Sequence, residues 1–106
     1  MAQFDVHANM GPNREAIPFV VVIQSALYDD YRRRVVVPLV RKSAVEPPGR
    51  ARFNPGFRIK GLTVVLHPLE IASVPRDRLG EPVASLASDG QRIVDALDEL
   101  LTRSWG

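Results

Sequence analysis

Ser88-Asp89-Gly90-Gln91-Arg92-Ile93-Val94-Asp95-Ala96-Leu97-Asp98-Glu99-Leu100-Leu101 is the one stretch with clear helical spacing, and it lies near the C-terminal end of the chain. Ile93, Leu97, Leu100 and Leu101 recur at helical intervals and form one apolar stripe at about 100° per residue. Val94 and Ala96 flank the stripe, while Arg92, Asp95, Asp98, Glu99, Thr102 and Arg103 fall outside it. Ser88 is a good N-cap, and Gln91 three residues later completes a capping box. Gly90 weakens the first turn slightly.

Upstream of this helix the pattern is that of strands and turns. Gln3 to His7 alternates polar and apolar residues, as a half-buried strand does. Asn9 to Pro18 holds Gly11, Pro12, Asn13 and Pro18 and predicts a loop. Phe19 to Ile23 is short, apolar and β-branched, which fits a strand covered on both faces. Val35 to Val37 begins another strand, and Pro38 inside it suggests a strand end, an edge or a bulge, because proline has no N–H to donate. Arg41 to Gly56 is rich in proline, arginine and glycine and has weak strand propensity. Phe57 to Ile59 and Leu62 to Leu66 predict a hairpin around Lys60 and Gly61, ended by His67 and Pro68. Leu69 to Leu86 contains Pro75, Gly80 and Pro82 and predicts turns with brief strands. Short strands followed by one amphipathic helix favour a mostly antiparallel barrel or sheet with the helix packed on it.

At 106 residues the expectation is a single domain spanning 1–106, large enough for one shallow core. Dimerisation is a common remedy for such a small domain, because it hides apolar surface. The formal charge is only +2, whereas nucleic-acid binders usually concentrate more positive charge. The absence of cysteine excludes disulfides and thiolate metal sites and fits a reducing cytoplasm. No apolar run approaches the roughly 18 residues of a membrane span, and the start of the chain lacks the pattern of a signal peptide. A cytoplasmic location is expected.

The chemistry-bearing residues form no motif. His7 and His67 lack metal-site spacing and fit strand-surface histidines. Asp29 and Asp30 fit a solvated turn. Arg32 to Arg34, with Arg50 and Arg52, could contact phosphates; the alternative is a solvated face balanced by Asp29 and Asp30, with no interleaved aromatic residues to stack bases. There is no glycine-rich phosphate loop, nucleophile elbow or Walker sequence, so neither catalytic residues nor cofactors are expected. Trp105 is the one tryptophan. It stands where a domain is least able to bury one, which favours an interaction anchor over a core residue.

Taken in order along the chain, these segments resemble the CcdB toxins of bacterial toxin–antitoxin pairs. Gln3-Phe4-Asp5-Val6 is similar to the family's Gln-Phe-x-Val start. Phe19-Val20-Val21-Val22-Ile23-Gln24-Ser25 resembles its Phe-Val-Asp-Val-Gln-Ser strand with one extra residue. Arg34 to Leu39 resembles Arg-x-Val-Ile-Pro-Leu, Ala72-Ser73-Val74-Pro75 matches closely, and Gly80 to Leu86 resembles Gly-Glu-x-Val-x-x-Leu. The final helix with Trp105-Gly106 completes the set.

The resemblance implies an SH3-like antiparallel barrel with a small extra sheet and one C-terminal α-helix. It implies a homodimer whose C-terminal helices lie together. It also implies a toxin that binds the A subunit of DNA gyrase and traps the enzyme on cleaved DNA without catalysing a reaction. A cognate CcdA-like antitoxin would neutralise it, and operator DNA for transcription regulation would be reached only through the antitoxin complex. The implied gyrase contacts are Trp105, Gly106, Thr102, Leu101 and Asp98 on the helix, with Leu27 and Tyr28 in the loop after the Gln24-Ser25 strand. Aligned from Ser73-Val74-Pro75 without gaps, the family tryptophan falls on Thr102, and the terminal isoleucine of the family's Trp-Gly-Ile is absent. Three residues is nearly one helical turn, which displaces Trp105 along the axis by roughly 4–5 Å. Two alternatives stay open: a MazF-like endoribonuclease toxin, with Arg32 to Arg34 as its basic candidates, and a degenerate CcdB homologue that no longer poisons gyrase.

Overall fold

The computed structural model describes residues 2–45 and 51–103. Among the described residues seven strands precede one α-helix: β1 (Asp5–Ala8), β2 (Phe19–Val22), β3 (Arg33–Arg41), β4 (Gly56–Ile59), β5 (Leu62–Leu66), β6 (Ala72–Pro75), β7 (Ala84–Ser85) and α1 (Gly90–Asp98). All strand pairs are antiparallel. The order β4-β5-β3-β2-β1-β7, with β6 also paired to β3, curls into a nearly closed barrel. This is the expected architecture, and the helix closes over it. Among the described residues no helix is long and apolar enough to cross a membrane.

β3 organises the sheet. One edge pairs with β2; along the other, Arg33 to Val36 pair with β6 and Leu39 to Arg41 pair with β5. Pro38 falls between these two partners. It sits inside a nine-residue strand, so of the end, edge or bulge its sequence suggested, it takes a local edge. Its carbonyl faces the gap and accepts a hydrogen bond from the His67 N–H at 3.0 Å. A backbone nitrogen points to the same edge as its own carbonyl, so the missing N–H falls where no strand pairs and no ladder bond is lost.

The β4–β5 hairpin forms where expected. Ile59 pairs with Leu62, and Lys60 (φ 51°) and Gly61 (φ 82°) both take positive φ. Two consecutive positive-φ residues are what a two-residue type I′ turn needs, because its twist matches that of the strands.

β1 begins two residues later than its alternation suggested. Phe4, at φ 70°, forms the corner before it. The Phe4 N–H bonds Val22 O, and its carbonyl receives the Leu86 N–H. This fixes the Phe4 ring under the start of α1, where Gly90 is buried. A Cβ on Gly90 would stand 2.5 Å from a Phe4 ring carbon. Gly90 is therefore required by packing, whatever it costs the first turn.

The core draws Val6, Val21, Val37, Leu39, Val64 and Leu66 from the strands and Ile93 and Ala96 from the helix. Two expectations for the helix are corrected. Ser88 does not cap it: Ala87–Asp89 is a 3-10 turn running into α1, Asp89 stands at the N-cap without a side-chain capping bond, and Gln91 bonds Asp95 at 2.9 Å. The buried stripe also runs Gly90, Ile93 and Ala96 with half-buried Leu97 and Leu100, while Leu101 is 72% exposed.

Two polar residues read as surface groups are inside. His7 is buried between β2 and β7, and its Nδ1 lies 2.8 Å from Gly80 O. The connection between β6 and β7 crosses the face of β1 that alternation alone assigns to solvent. Arg34 is 2% exposed. The Asp29–Tyr31 turn covers its side chain and accepts its hydrogen bonds, so the run Arg32 to Arg34 is not a continuous solvated face.

Candidate partner-binding surface

Two exposed features carry the residues singled out in the sequence. The first is the end of the helix. After Asp98 the chain widens into a π-helical turn, Glu99–Arg103. The Thr102 hydroxyl donates to the Asp98 carbonyl at 2.7 Å, a back-bond that competes with the regular helical ladder. Asp98, Leu101 and Thr102 are all exposed on this segment. Fully burying a leucine is worth about 1.5–3 kcal/mol relative to leaving it in water. Leu101 forgoes most of that gain here and would recover it against a partner. Trp105 and Gly106 lie outside the described residues.

The helix is pinned to the hairpin side of the barrel. Arg92 donates to Gly56 O at 2.9 Å and stacks 4.6 Å from the Phe57 ring centroid. Arg52 Nε meets Glu99 Oε2 at 3.0 Å.

The second feature is the loop between β2 and β3. Ala26–Tyr28 is a 3-10 turn whose Ser25 hydroxyl accepts the Leu27 N–H at 3.2 Å. The Gln24 side chain donates to Tyr28 O at 2.9 Å and accepts the Val35 N–H at 3.0 Å. From beneath, buried Arg34 donates Nη1 to Tyr31 O and Nη2 to Asp29 O. Its Nε lies 3.7 Å from an Asp29 carboxylate oxygen. The loop is thus held from inside while Leu27 (84% exposed), Tyr28 (52%) and Tyr31 (62%) face out. A surface fixed before binding loses less conformational entropy when a partner docks.

Tyr28 and Tyr31 meet edge to face, with ring centroids 5.9 Å apart. Sequence reasoning passed over Tyr31 and read Arg34 as a surface charge. The signal available for Tyr31 was an aromatic residue three positions after Tyr28 in a polar loop. No sequence signal marked Arg34 as buried.

Asp98, Leu101 and Thr102 are brought together on the helix end, and Leu27 with Tyr28 on the loop. Among the described residues no hydrogen bond, ion pair or ring contact joins these two groups within one chain. The loop is tied instead to β3, and through Arg76 Nη1 to Asp29 O at 3.4 Å to the segment after β6.

A family model described as CcdB protein matches residues 3–103. The chain belongs to the CcdB family. Among curated proteins none matches it. CcdB membership makes this a toxin of a toxin–antitoxin system, one that partners an antitoxin. CcdB proteins act as toxins rather than as catalysts.

Proposed function

We propose that this single-domain protein is a CcdB-type gyrase poison. It works as a homodimer that binds the A subunit of DNA gyrase, traps the enzyme on cleaved DNA, and is neutralised by a cognate CcdA-like antitoxin in the cytoplasm. The observation that carries the reading is the family match over residues 3–103. The exposure of Leu101, Asp98 and Thr102 at the helix end and of Leu27 and Tyr28 on the loop supports it, because these positions match the family's gyrase contacts. The homodimer supplies a way for the loop and helix end, unconnected within one chain, to act on one partner. Trp105 and Gly106 complete the contact on this reading. Operator DNA is reached only through the antitoxin complex.

The endoribonuclease alternative is weakened. Arg34, one of its three named basic residues, is buried and bonded to backbone carbonyls, so it has no free face for RNA.

The test is a cleavage assay with purified protein, gyrase and supercoiled DNA. Linear DNA should accumulate, and a complex with the isolated gyrase A protein should form in size-exclusion chromatography. Absence of both rejects the poison reading and leaves a CcdB homologue that no longer acts on gyrase.

A further inference from the structure

Two arginines of the run, Arg32 and Arg33, remain at the surface and stand beside Arg76. Antiparallel pairing sets Arg33 opposite Pro75 and Val35 opposite Ser73, and alternation places Arg33 and Val35 on one face of β3, at the end of the strand where Arg33 is exposed and Val35 half-buried. The Arg33 guanidinium is held there: Nε donates to Ser73 Oγ at 2.8 Å and Nη2 to Ser73 O at 2.7 Å. Among the described residues its Nη1 makes no hydrogen bond. Arg33 is shared by two adjoining hollows. One, of about 320 Å³, is walled by Tyr28, Tyr31, Val35 and Ser73 and is almost wholly apolar. The other, of about 630 Å³, is walled by Arg32, Arg33, Pro75, Arg76 and Asp77. The backbone bond from Arg76 N–H to Arg32 O at 2.9 Å keeps the two flanking arginines side by side.

The second hollow sets three arginines against one aspartate. A fixed guanidinium with a free edge suits a carboxylate, which it can meet with two parallel hydrogen bonds. The first hollow suits an apolar or aromatic side chain. The two adjoin across Arg33, so the ligand that fits both carries acidic groups beside an apolar one. We propose that this face of β3 and β6 docks an acidic polypeptide segment: its carboxylates on Arg32, Arg33 and Arg76, and one apolar side chain between Tyr28, Tyr31 and Val35. Single-stranded RNA fits less well. The two tyrosines contact each other edge to face, which offers no open parallel platform for successive bases. The net charge of +2 also gives little long-range pull on a phosphate backbone.

The experiment is fluorescence anisotropy at low ionic strength with the full chain. The probes are a short labelled oligoglutamate peptide with one central phenylalanine, the same peptide without the phenylalanine, its lysine counterpart, and labelled oligouridylate of equal length. The phenylalanine-containing acidic peptide should bind saturably and more tightly than the other three, and added salt should weaken it. Arg32→Gln with Arg76→Gln should weaken it about five- to tenfold, the scale of two exposed ion pairs. Arg32→Gln alone, at an exposed residue, gives a smaller loss and guards against misfolding of the double variant. Tyr31→Ala should reduce binding of the phenylalanine peptide and leave the all-glutamate peptide unchanged. No saturable binding of the acidic peptide, equal binding by the arginine variants, or tighter binding of oligouridylate or the lysine peptide overturns the proposal. None of these readouts involves gyrase, so they stand or fall apart from the poison reading.

Discussion

Arg34 and Asp29 form a buried clamp in which the guanidinium holds the loop mainly by its backbone. Nη2 donates to the Asp29 carbonyl, Nη1 donates to Tyr31 O, and the Asp29 carboxylate stands 3.7 Å from Nε. Arg34 is 2% exposed while the Asp29 side chain is 34% exposed. The two partners should therefore respond unequally to mutation. Arg34→Ala removes the donors for three carbonyls, those of Asp29, Tyr31 and Arg33, and leaves a cavity, so it should cost about 3–5 kcal/mol. Asp29→Asn keeps the backbone acceptor and should cost only about 1–2 kcal/mol. Urea unfolding measures both. An Arg34→Ala loss as small as that of Asp29→Asn would show that the clamp contributes little.

Gly90 tests packing against helix propensity. An exposed Gly→Ala change inside a helix gains about 1 kcal/mol. Here the added Cβ would meet the Phe4 ring at 2.5 Å, and overpacking of a filled core costs about 1–3 kcal/mol. Gly90→Ala should therefore destabilise the protein. In the background Phe4→Leu, which removes the ring edge, the same change should cost less or turn favourable. A double-mutant cycle by thermal denaturation reads the coupling, and strict additivity would disprove the contact.

The hairpin turn offers a cleaner backbone test. No atom lies within 4 Å of a Cβ built on Gly61, so Gly61→Ala meets no clash, and any cost comes from its φ of 82°. A left-handed conformation costs an L-residue about 1–2 kcal/mol. Stability measured by urea unfolding should fall by that amount. A neutral result would mean that the turn relaxes to another type.

These cases show what could be read in advance. The hairpin was legible because Lys60-Gly61 between apolar runs is a local signal for a local structure. The helix was legible from its stripe, but its N-cap was not, because the 3-10 turn Ala87–Asp89 depends on Leu86 and Phe4 being tied together across the barrel. Of the end, edge or bulge that Pro38 suggested, an edge is what it occupies, in mid-strand, because two partners divide that side of β3. His7 was misread because the connection around Gly80, distant in sequence, covers it; Arg34 was misread because the turn just before it, Asp29–Tyr31, folds back over its side chain, which residue spacing does not show. The candidate site residues come from resemblance alone. Nothing in their spacing separates an exposed Leu101 from the half-buried Leu97 and Leu100 beside it.

That separation supplies the last prediction. Ile93 is fully buried and Leu101 is 72% exposed on the same segment, so they should divide stability from toxicity. Ile93→Ala should cost about 2–5 kcal/mol and reduce activity by unfolding the protein. Leu101→Ala should change stability by no more than about 0.5 kcal/mol, yet weaken binding to the gyrase A protein and relieve growth arrest on induced expression. Trp105→Ala should resemble Leu101→Ala if it belongs to the same contact, with toxicity lost and the melting temperature kept. If Trp105→Ala instead unfolds the protein, Trp105 is a packing residue. If Leu101→Ala arrests growth as well as the parent chain does, the helix end is not where the toxin meets its target.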